Sequence, residues 1–471
     1  MTEWVAPVKF IPKDYQRDAI KHILSTPGCG LFLKPGRGKT SSTLAAWKIL
    51  RDKGHSKAVL IVAPLRVVKY TWPAEVQKWS DFEDFSVSIL HGASKDETFA
   101  KAKSDIYLIN FEGLLWLLPK LAKLKPSAWP FDMLVVDEST KLKAYDSKRF
   151  KLLKKLLPGF KRRLILTGTP TPQSKMDLFA QAYIMDCGKA LSPYITHFRS
   201  NYFFIDTSHL KPGEPPPVWG YQLKPGADEA INNKIKHLVY TSDGPAYEPG
   251  QEPIFNDVYV ELPKDARKKY RDMEKLMFAQ LEAGTILASN AAVASGKCRQ
   301  ISNGALYTDD DANYEVIHDE KLEAVDELLE QLVGECVLIW YEYKSDLARL
   351  LERFPGEVLT AKSPPDIIDR WNAKQIPILY VHWQSAAHGL NMQYGGNTMI
   401  YFTTPWSGEG FTQGVARLAR QGQTEQVIVH RIVARRTVDE LVIKAQALRD
   451  ASQNDFLEAL RAYWHDNKQQ A

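Results

Sequence analysis

The chain has 471 residues, 44% of them hydrophobic and 25% charged, with a formal net charge of +5. That length exceeds one ordinary core and implies two or three domains of a soluble, globular protein. No run approaches the roughly 20 apolar residues that span a bilayer. The start, Met1-Thr2-Glu3-Trp4-Val5, lacks the basic and apolar regions of a signal peptide, and Cys29, Cys187, Cys298 and Cys336 show no Cys-x-x-Cys spacing. A membrane span, a zinc site and a disulfide framework are thereby disfavoured, and a reducing cytoplasm is the expected location.

The first expected strand, 30–33, runs into Lys34-Pro35-Gly36-Arg37-Gly38-Lys39-Thr40 and then a helical pattern. A strand, a glycine loop and Gly-Lys-Thr before a helix is the layout of a phosphate-binding loop. Glycines let backbone N–H groups turn onto phosphate oxygens, and the helix adds its positive end. Gly36, Arg37, Gly38, Lys39 and Thr40 are therefore candidate ATP ligands, with Lys39 reaching the β- and γ-phosphates and the Thr40 hydroxyl on Mg²⁺. Leu33 stands where the usual pattern has its first glycine.

Further strands are expected at 58–63, 87–90, 106–109, 133–136 and 163–166. Several are continuous apolar runs, as in strands buried on both faces of a parallel sheet, and their alternation with helical patterns points to an α/β layer fold. Asp137-Glu138-Ser139-Thr140 follows the fourth of these runs. Two acids at a strand end suit ATP hydrolysis, Asp137 holding Mg²⁺ through its water shell and Glu138 orienting and deprotonating the attacking water. From 141 to 163 there are ten Lys or Arg and one acid, Asp146. Two readings stay open for this stretch: a solvated helix face, or a basic surface that follows a phosphate backbone. Thr167-Gly168-Thr169-Pro170 ends the next strand.

The alternation then breaks. Pro212, Pro215, Pro216, Pro217 and Pro225 crowd one segment, and Pro245, Pro249 and Pro253 crowd another, with Gly244 and Gly250. A linker is expected there. After Pro263 an amphipathic helix is expected, with Tyr270, Met273, Met277 and Leu281 on its core face. Strands return at 337–340, 378–381, 399–402 and 427–432. Between the last two stand Gln413, Arg417 and Arg420. Arginines three apart share a helix face, and two guanidinium groups presented together suit a γ-phosphate whose charge spreads during transfer.

In this order the motifs resemble those of the superfamily 2 helicases, and within them the Snf-type ATPases related to chromatin remodellers, from about Tyr15 to about Leu441. Tyr15-Gln16 looks like the adenine-reading element, with Gln16 as the adenine contact. Ile61-Val62-Ala63-Pro64-Leu65, with Trp72 and Trp79, resembles motif Ia. Asp137-Glu138 resembles the Walker B acids, and Thr167-Gly168-Thr169-Pro170 resembles motif III. Lys297-Cys298-Arg299-Gln300-Ile301 resembles the approach to the second lobe, Ser385 to Asn391 resembles motif V, and Gln413 to Gln423 is the most family-specific segment. In two places the chain departs from the family: Ser139-Thr140 replace Ala-His, and Pro172-Gln173 replace Gln-Asn. The first substitution puts a short hydroxyl at Thr140, where relatives couple nucleotide to nucleic acid.

The resemblance implies an α/β fold of two RecA-like lobes with small helical insertions, in a compact phage- or bacterial-type member. The expected divisions are a first lobe over 1–205, a linker and helical insertion over 206–300, and a second lobe over 301–471. ATP would lie between the lobes, with Asp137, Glu138, Gln413, Arg417 and Arg420 catalytic. Arg66, Asn110, Thr169, Ser385 and Asn391 would contact DNA, mostly through phosphates and so without regard to sequence. The implied activity is ATP-driven translocation along double-stranded DNA. A strand-separating helicase and an ATP-dependent switch acting on a protein partner are the alternatives.

Overall fold

A computed structural model of the chain describes residues 8–168, 170–171, 174–205, 221–242, 252–282, 288–308, 313–360, 362–383 and 390–447. The chain divides into two compact units, Met1–Ala246 and Tyr247–Ala471.

In the first unit the strands are β1 (Gly28–Phe32), β2 (Val59–Ala63), β3 (Val87–Ile89), β4 (Ile106–Asn110), β5 (Met133–Asp137), β6 (Arg162–Thr167), β7 (Phe203–Ile205), β8 (Tyr221–Leu223) and β9 (Val239–Thr241). β7 and β8 form an antiparallel pair. The other seven make one sheet in the order β3-β4-β2-β5-β6-β1-β9, and every neighbouring pair is parallel. Alternate residues of each strand enter opposite cores. Val59, Ile61 and Ala63 pack with the helix Lys39–Asp52 through Leu44 and Trp47. Leu60 and Val62 pack with Leu114, Leu117 and Phe150 on the other face. Burial on both faces is why these strands read as unbroken apolar runs rather than as alternation.

The second unit contains β10 (Ile254–Val260), the antiparallel pair β11 (Ala305–Tyr307) and β12 (Tyr314–Val316), then β13 (Val337–Tyr341), β14 (Glu357–Leu359), β15 (Ile378–His382), β16 (Thr398–Tyr401) and β17 (Ile428–Ala434). A six-stranded, wholly parallel sheet has the order β10-β17-β16-β13-β15-β14. Two α/β lobes are thus present, as expected, and every strand expected from sequence has a counterpart within two residues at each end. The 206–300 segment supplies β9 to the first sheet and β10 to the second, along with the helices Lys264–Glu282 and Ala288–Asn303. Most of its proline-rich stretches lie outside the described residues.

A buried polar network ties together the carboxyl edge of the second sheet. Lys321, 1% exposed, places Nζ 2.7 Å from Asp439 Oδ2 and donates to Asn303 Oδ1 at 2.8 Å. Asn303 donates to Asp346 Oδ1 and to Thr403 Oγ1, and Thr403 donates to Asp346 Oδ2. Burial pushes the Asp346 carboxyl up against the pull of these hydrogen bonds and of Lys321. One ammonium therefore serves two buried acids. Lys321→Met should destabilise the second unit by about 3–5 kcal/mol, because it leaves uncompensated buried charge. Urea unfolding followed through a fluorophore in that unit measures this; a loss below about 1 kcal/mol would show the network to be dispensable.

Candidate active site

Parallel strands deliver all their carboxyl ends to one edge, and in the first unit the register aligns those ends closely. Phe32 pairs with Thr167, Leu166 with Asp137, and Ala63 with Asn110. The residues that follow are the phosphate loop after β1, Pro64-Leu65-Arg66 after β2, Phe111 after β4, Glu138 after β5 and Gly168 after β6. Five separate motifs therefore meet at one sheet edge, which is where ligands bind open α/β sheets.

The loop after β1 has the backbone that phosphate binding needs. Gly36 (φ 79°) and Gly38 (φ 66°, ψ 36°) are left-handed, and Gly38 caps the helix Lys39–Asp52. A Cβ on Gly38 would stand 2.1 Å from Gln16 Nε2, so the glycine is required by space as well as by conformation. Gln16, 1% exposed, comes from the helix Asp14–Ser25 and accepts from the Lys13 amide through Oε1, while its Nε2 is buried with no hydrogen-bond partner. Such a donor against the loop fits an adenine acceptor, since an unmade buried bond costs about 1–3 kcal/mol. Arg37 lies over the Tyr15 ring at 3.9 Å and donates to Ser242 Oγ. Lys39 Nζ donates to the carbonyl of Leu33 at 2.7 Å. Thr40 stands in the first turn of the helix.

Asp137 is 8% exposed at the end of β5 and accepts from the Trp72 indole N–H at 3.1 Å. Burial pushes its carboxyl above the usual range, opposed by the charge of Lys39 and by the Trp72 hydrogen bond. Trp72, read from sequence only as part of motif Ia, is thus the residue that aims the carboxylate. Glu138 has φ 55° and ψ 56°, the left-handed region, which costs a non-glycine residue about 1–2 kcal/mol. Strain of this kind collects where function over-determines the backbone. Among the described residues no group of three or more His, Cys, Asp or Glu could hold a metal ion. Mg²⁺ would therefore rest on Asp137, the Thr40 hydroxyl, water and the phosphates themselves, a ligand set that suits this ion.

The turn after Glu138 is held by Gln181, a residue that the motifs did not single out. Ser139, fully buried, donates to Gln181 Oε1 at 2.7 Å, and Gln181 Nε2 donates to the carbonyls of Pro170 (2.6 Å) and Asp177 (2.9 Å). Gln181 sits on the helix Leu178–Asp186, every turn of which is buried. It ties the acid turn to Pro170 of the Thr-Gly-Thr-Pro motif. Its only sequence signal is a lone amide between the apolar residues Ala180 and Ala182. The buried hydroxyl that bridges the two motifs belongs to Ser139.

In the second unit, Arg417 and Arg420 lie in the turns beyond the helix Gly408–Val415, not on a helix as the spacing had implied. The Arg417 and Leu418 amides bond three residues back, to Gly414 and Val415, which tightens the chain out of the helix. Both side chains nonetheless converge, donating to the carbonyl of Leu390 at 3.3 and 3.2 Å. Gln413 is buried and donates to Glu409. Asn391 adjoins Leu390, with its side-chain oxygen buried and unpartnered. Trp383 and Trp406 both pack against core clusters.

Of the expected DNA contacts, Thr169 and Ser385 lie outside the described residues. Arg66 follows β2, half-buried, and burial lowers the pKa of its guanidinium. Asn110 is buried at the end of β4 and donates to Glu112. The 141–163 basic stretch is largely occupied within the fold. Arg162 donates to the carbonyls of Ile23 and Leu24, and Arg163 to those of Met185, Leu157 and Phe160. Lys143 pairs with Asp177 and Lys161 with Asp132. Lys154 donates to Pro193 O and lies over the Tyr183 ring.

Two predictions follow from this geometry. Glu138→Gly should be more stable than Glu138→Gln by about 0.5–1 kcal/mol in thermal unfolding, because glycine accepts the left-handed backbone. Equal stability would mean that residue 138 carries no strain. Gln181→Leu should cost about 1–3 kcal/mol by leaving Ser139 unsatisfied, and adding Ser139→Ala should recover about 1 kcal/mol of that loss. A strictly additive double mutant would rule out the bridge.

Comparison with known proteins bears on the same residues. A family model described as SNF2-related domain matches residues 8–200. Protein p41 of Acyrthosiphon pisum secondary endosymbiont phage 1 is 35% identical over 467 residues, covering 96% of this chain and 99% of that protein. Chromodomain-helicase-DNA-binding protein 7 of Gallus gallus is 23% identical, over 93% of this chain and 15% of that protein. The DNA excision repair protein ERCC-6-like of Mus musculus is 22% identical, over 88% of this chain and 39% of that protein. The solved Sulfolobus solfataricus SWI2/SNF2 ATPase core in complex with dsDNA aligns over 98% of this chain and 97% of that chain, at 20% identity and a TM-score of 0.44. The chain thus spans nearly all of the phage protein and well under half of these two vertebrate relatives. The phosphate loop, the acid pair and the Thr-Gly-Thr-Pro turn all fall within the matched 8–200 segment, and the chain belongs to the SNF2-related family.

Proposed function

We propose that this protein is a DNA-stimulated ATPase that moves along double-stranded DNA without separating its strands. One observation carries the reading: a phosphate loop, a carboxylate aimed by Trp72 and a strained glutamate share one edge of the first sheet. Gln16 recognises adenine, and the loop amides and Lys39 hold the phosphates. Glu138 takes the proton of the attacking water. Bound Mg²⁺ would neutralise phosphate charge beside Asp137. Arg417 and Arg420, already converging on one carbonyl, supply positive charge to the γ-phosphate. An arginine in that role is worth roughly a thousandfold or more in rate.

The relatives' names, with helicase, DNA-binding and excision repair among them, support nucleic acid as the partner. Arg66, Asn110 and Asn391 are the described candidates for contact with it, joined by Thr169 and Ser385. No helix among the described residues is long and apolar enough to cross a membrane, and the site of action we infer is the cytoplasm.

The test compares ATP turnover with duplex, single-stranded and no DNA, and follows displacement of a triplex-forming third strand. Duplex DNA should stimulate turnover, and the third strand should leave while the duplex stays paired. Lys39→Ala should abolish turnover, whereas Glu138→Gln and Arg420→Ala should keep ATP binding and slow hydrolysis at least a hundredfold, on the order expected for such groups. Normal turnover in Arg420→Ala would refute the arginine assignment. Separation of a forked duplex would replace translocation with unwinding, and indifference to all nucleic acids would favour a protein-directed switch.

A further inference from the structure

The helix Lys264–Glu282 has a face that packing does not explain. Ala266 and Tyr270 are buried in the second core, with Met273 packed against it, and the Val438 amide donates to the Tyr270 hydroxyl. The opposite face carries Lys264, Lys268, Arg271 and Lys275, spaced four, three and four residues apart and all exposed. That spacing makes a single stripe about 16 Å long. None of the four lies within 4 Å of a described carboxylate, whereas Lys269, off the stripe, pairs with Glu315. The stripe borders a shallow concavity of about 440 Å³, lined by these four residues with Arg267 and Asp272.

More positive charge joins it at the carboxyl ends of β10 and β17. Arg267 donates to the carbonyls of Arg435 and Arg436. One carboxylate, Glu261, faces three guanidinium groups: Arg267 at 3.6 Å, Arg435 at 3.7 Å and Arg436 at 3.1 Å. Seven cations thus gather around Glu261 and Asp272.

This arrangement works against folding. Like charges at i,i+4 repel by a few tenths of a kcal/mol each. Lys264, Arg267 and Lys268 stand in or beside the first turn, where the positive end of the helix dipole favours acids, and only Asp265 meets that preference. Asp272 and Glu274 return only part of this cost, and the remaining excess of cations points to an external anion. Beneath the stripe, Ala266, Tyr270 and Met273 are already packed against the core, so this part of the helix has nothing to insert into a bilayer. A linear run of cations matches a linear polyanion, and duplex DNA presents one charge per about 1.7 Å of axis.

We propose that the Lys264–Lys275 face is a second DNA-binding surface, which grips the phosphate backbone apart from Arg66, Asn110 and Asn391. The proposal rests on the DNA-translocase reading and assigns it an anchoring face that none of the family motifs contains.

The experiment uses the full chain and two triple variants, Lys264→Gln/Lys268→Gln/Lys275→Gln and the corresponding Lys→Glu set. Arg267 and Arg271 are left intact, because Arg267 holds backbone carbonyls and both lie near Glu274. Duplex affinity is measured across salt concentrations, along with ATP turnover at zero and saturating DNA. The glutamine variant should bind duplex about tenfold more weakly at low salt, and the slope of log affinity against log salt should become shallower by roughly 2–3. The DNA concentration for half-maximal turnover should rise, with DNA-free and saturated rates unchanged. The glutamate variant should weaken binding further. The midpoint of thermal unfolding should not fall in the glutamine variant, since repulsion is relieved. A wild-type salt slope and half-saturation point in both variants would overturn the surface while leaving the translocase reading intact. A lowered unfolding midpoint would overturn it in favour of a structural role for the lysines. Failure of the unaltered protein to bind duplex DNA would overturn both readings.

Discussion

Parallel pairing of β2, β5, β6 and β1 is the constraint on which the candidate site depends. Each strand must return to the same side of the sheet before the next begins, so every strand end in the run faces one way. The register then sets Phe32 beside Thr167 and Asp137 beside Leu166, and motifs more than a hundred residues apart in the chain become neighbours. The apolar runs that make this pairing stable are the same ones that fill two cores, one on each face of the sheet. Hydrophobic burial builds the edge, and the polar chemistry occupies the loops that leave it.

That edge is expensive in local terms. Asp137 is an acid in a place where burial opposes its charge, Glu138 holds a left-handed backbone, and Gln16 keeps a buried amide hydrogen without a protein partner. Each is a small violation of what folding alone would favour. Under the proposed function all three are the residues assigned to a phosphate, a metal ion or an adenine, so the pattern reads as preparation for a ligand rather than as poor packing. The residues that support them are apolar or neutral: Trp72 aims the carboxylate, and Gln181 joins two motif turns through Ser139.

The two basic regions show why charge counts along a chain mislead. The 141–163 stretch has ten cations against a single acid, yet Arg162 and Arg163 are spent on backbone carbonyls and Lys143 and Lys161 on carboxylates. The Lys264–Lys275 stripe is diluted by acids in sequence but keeps its cations on one exposed face. Helical periodicity lines up Lys264, Lys268, Arg271 and Lys275 in space, and the neighbours Arg435 and Arg436 join them only through the fold.

The sequence by itself determined the class of fold, the position of nearly every core strand, the phosphate loop and the acid pair. Those features are local: an apolar run of five residues, or glycines before Lys39, has the same meaning wherever the chain goes. What it could not determine rests on pairings between distant residues. That β9 and β10 complete the two sheets depends on their partners β1 and β17 and not on their own sequences, β9 being three residues long and β10 mixing polar with apolar ones. Trp72 holding Asp137, Gln181 bridging Ser139 to Pro170, and Arg417 and Arg420 converging on Leu390 from outside the helix are likewise contacts across 65, 42 and about 30 residues. A hydrogen bond is decided by ångström-scale positions, and only the packed tertiary structure supplies those.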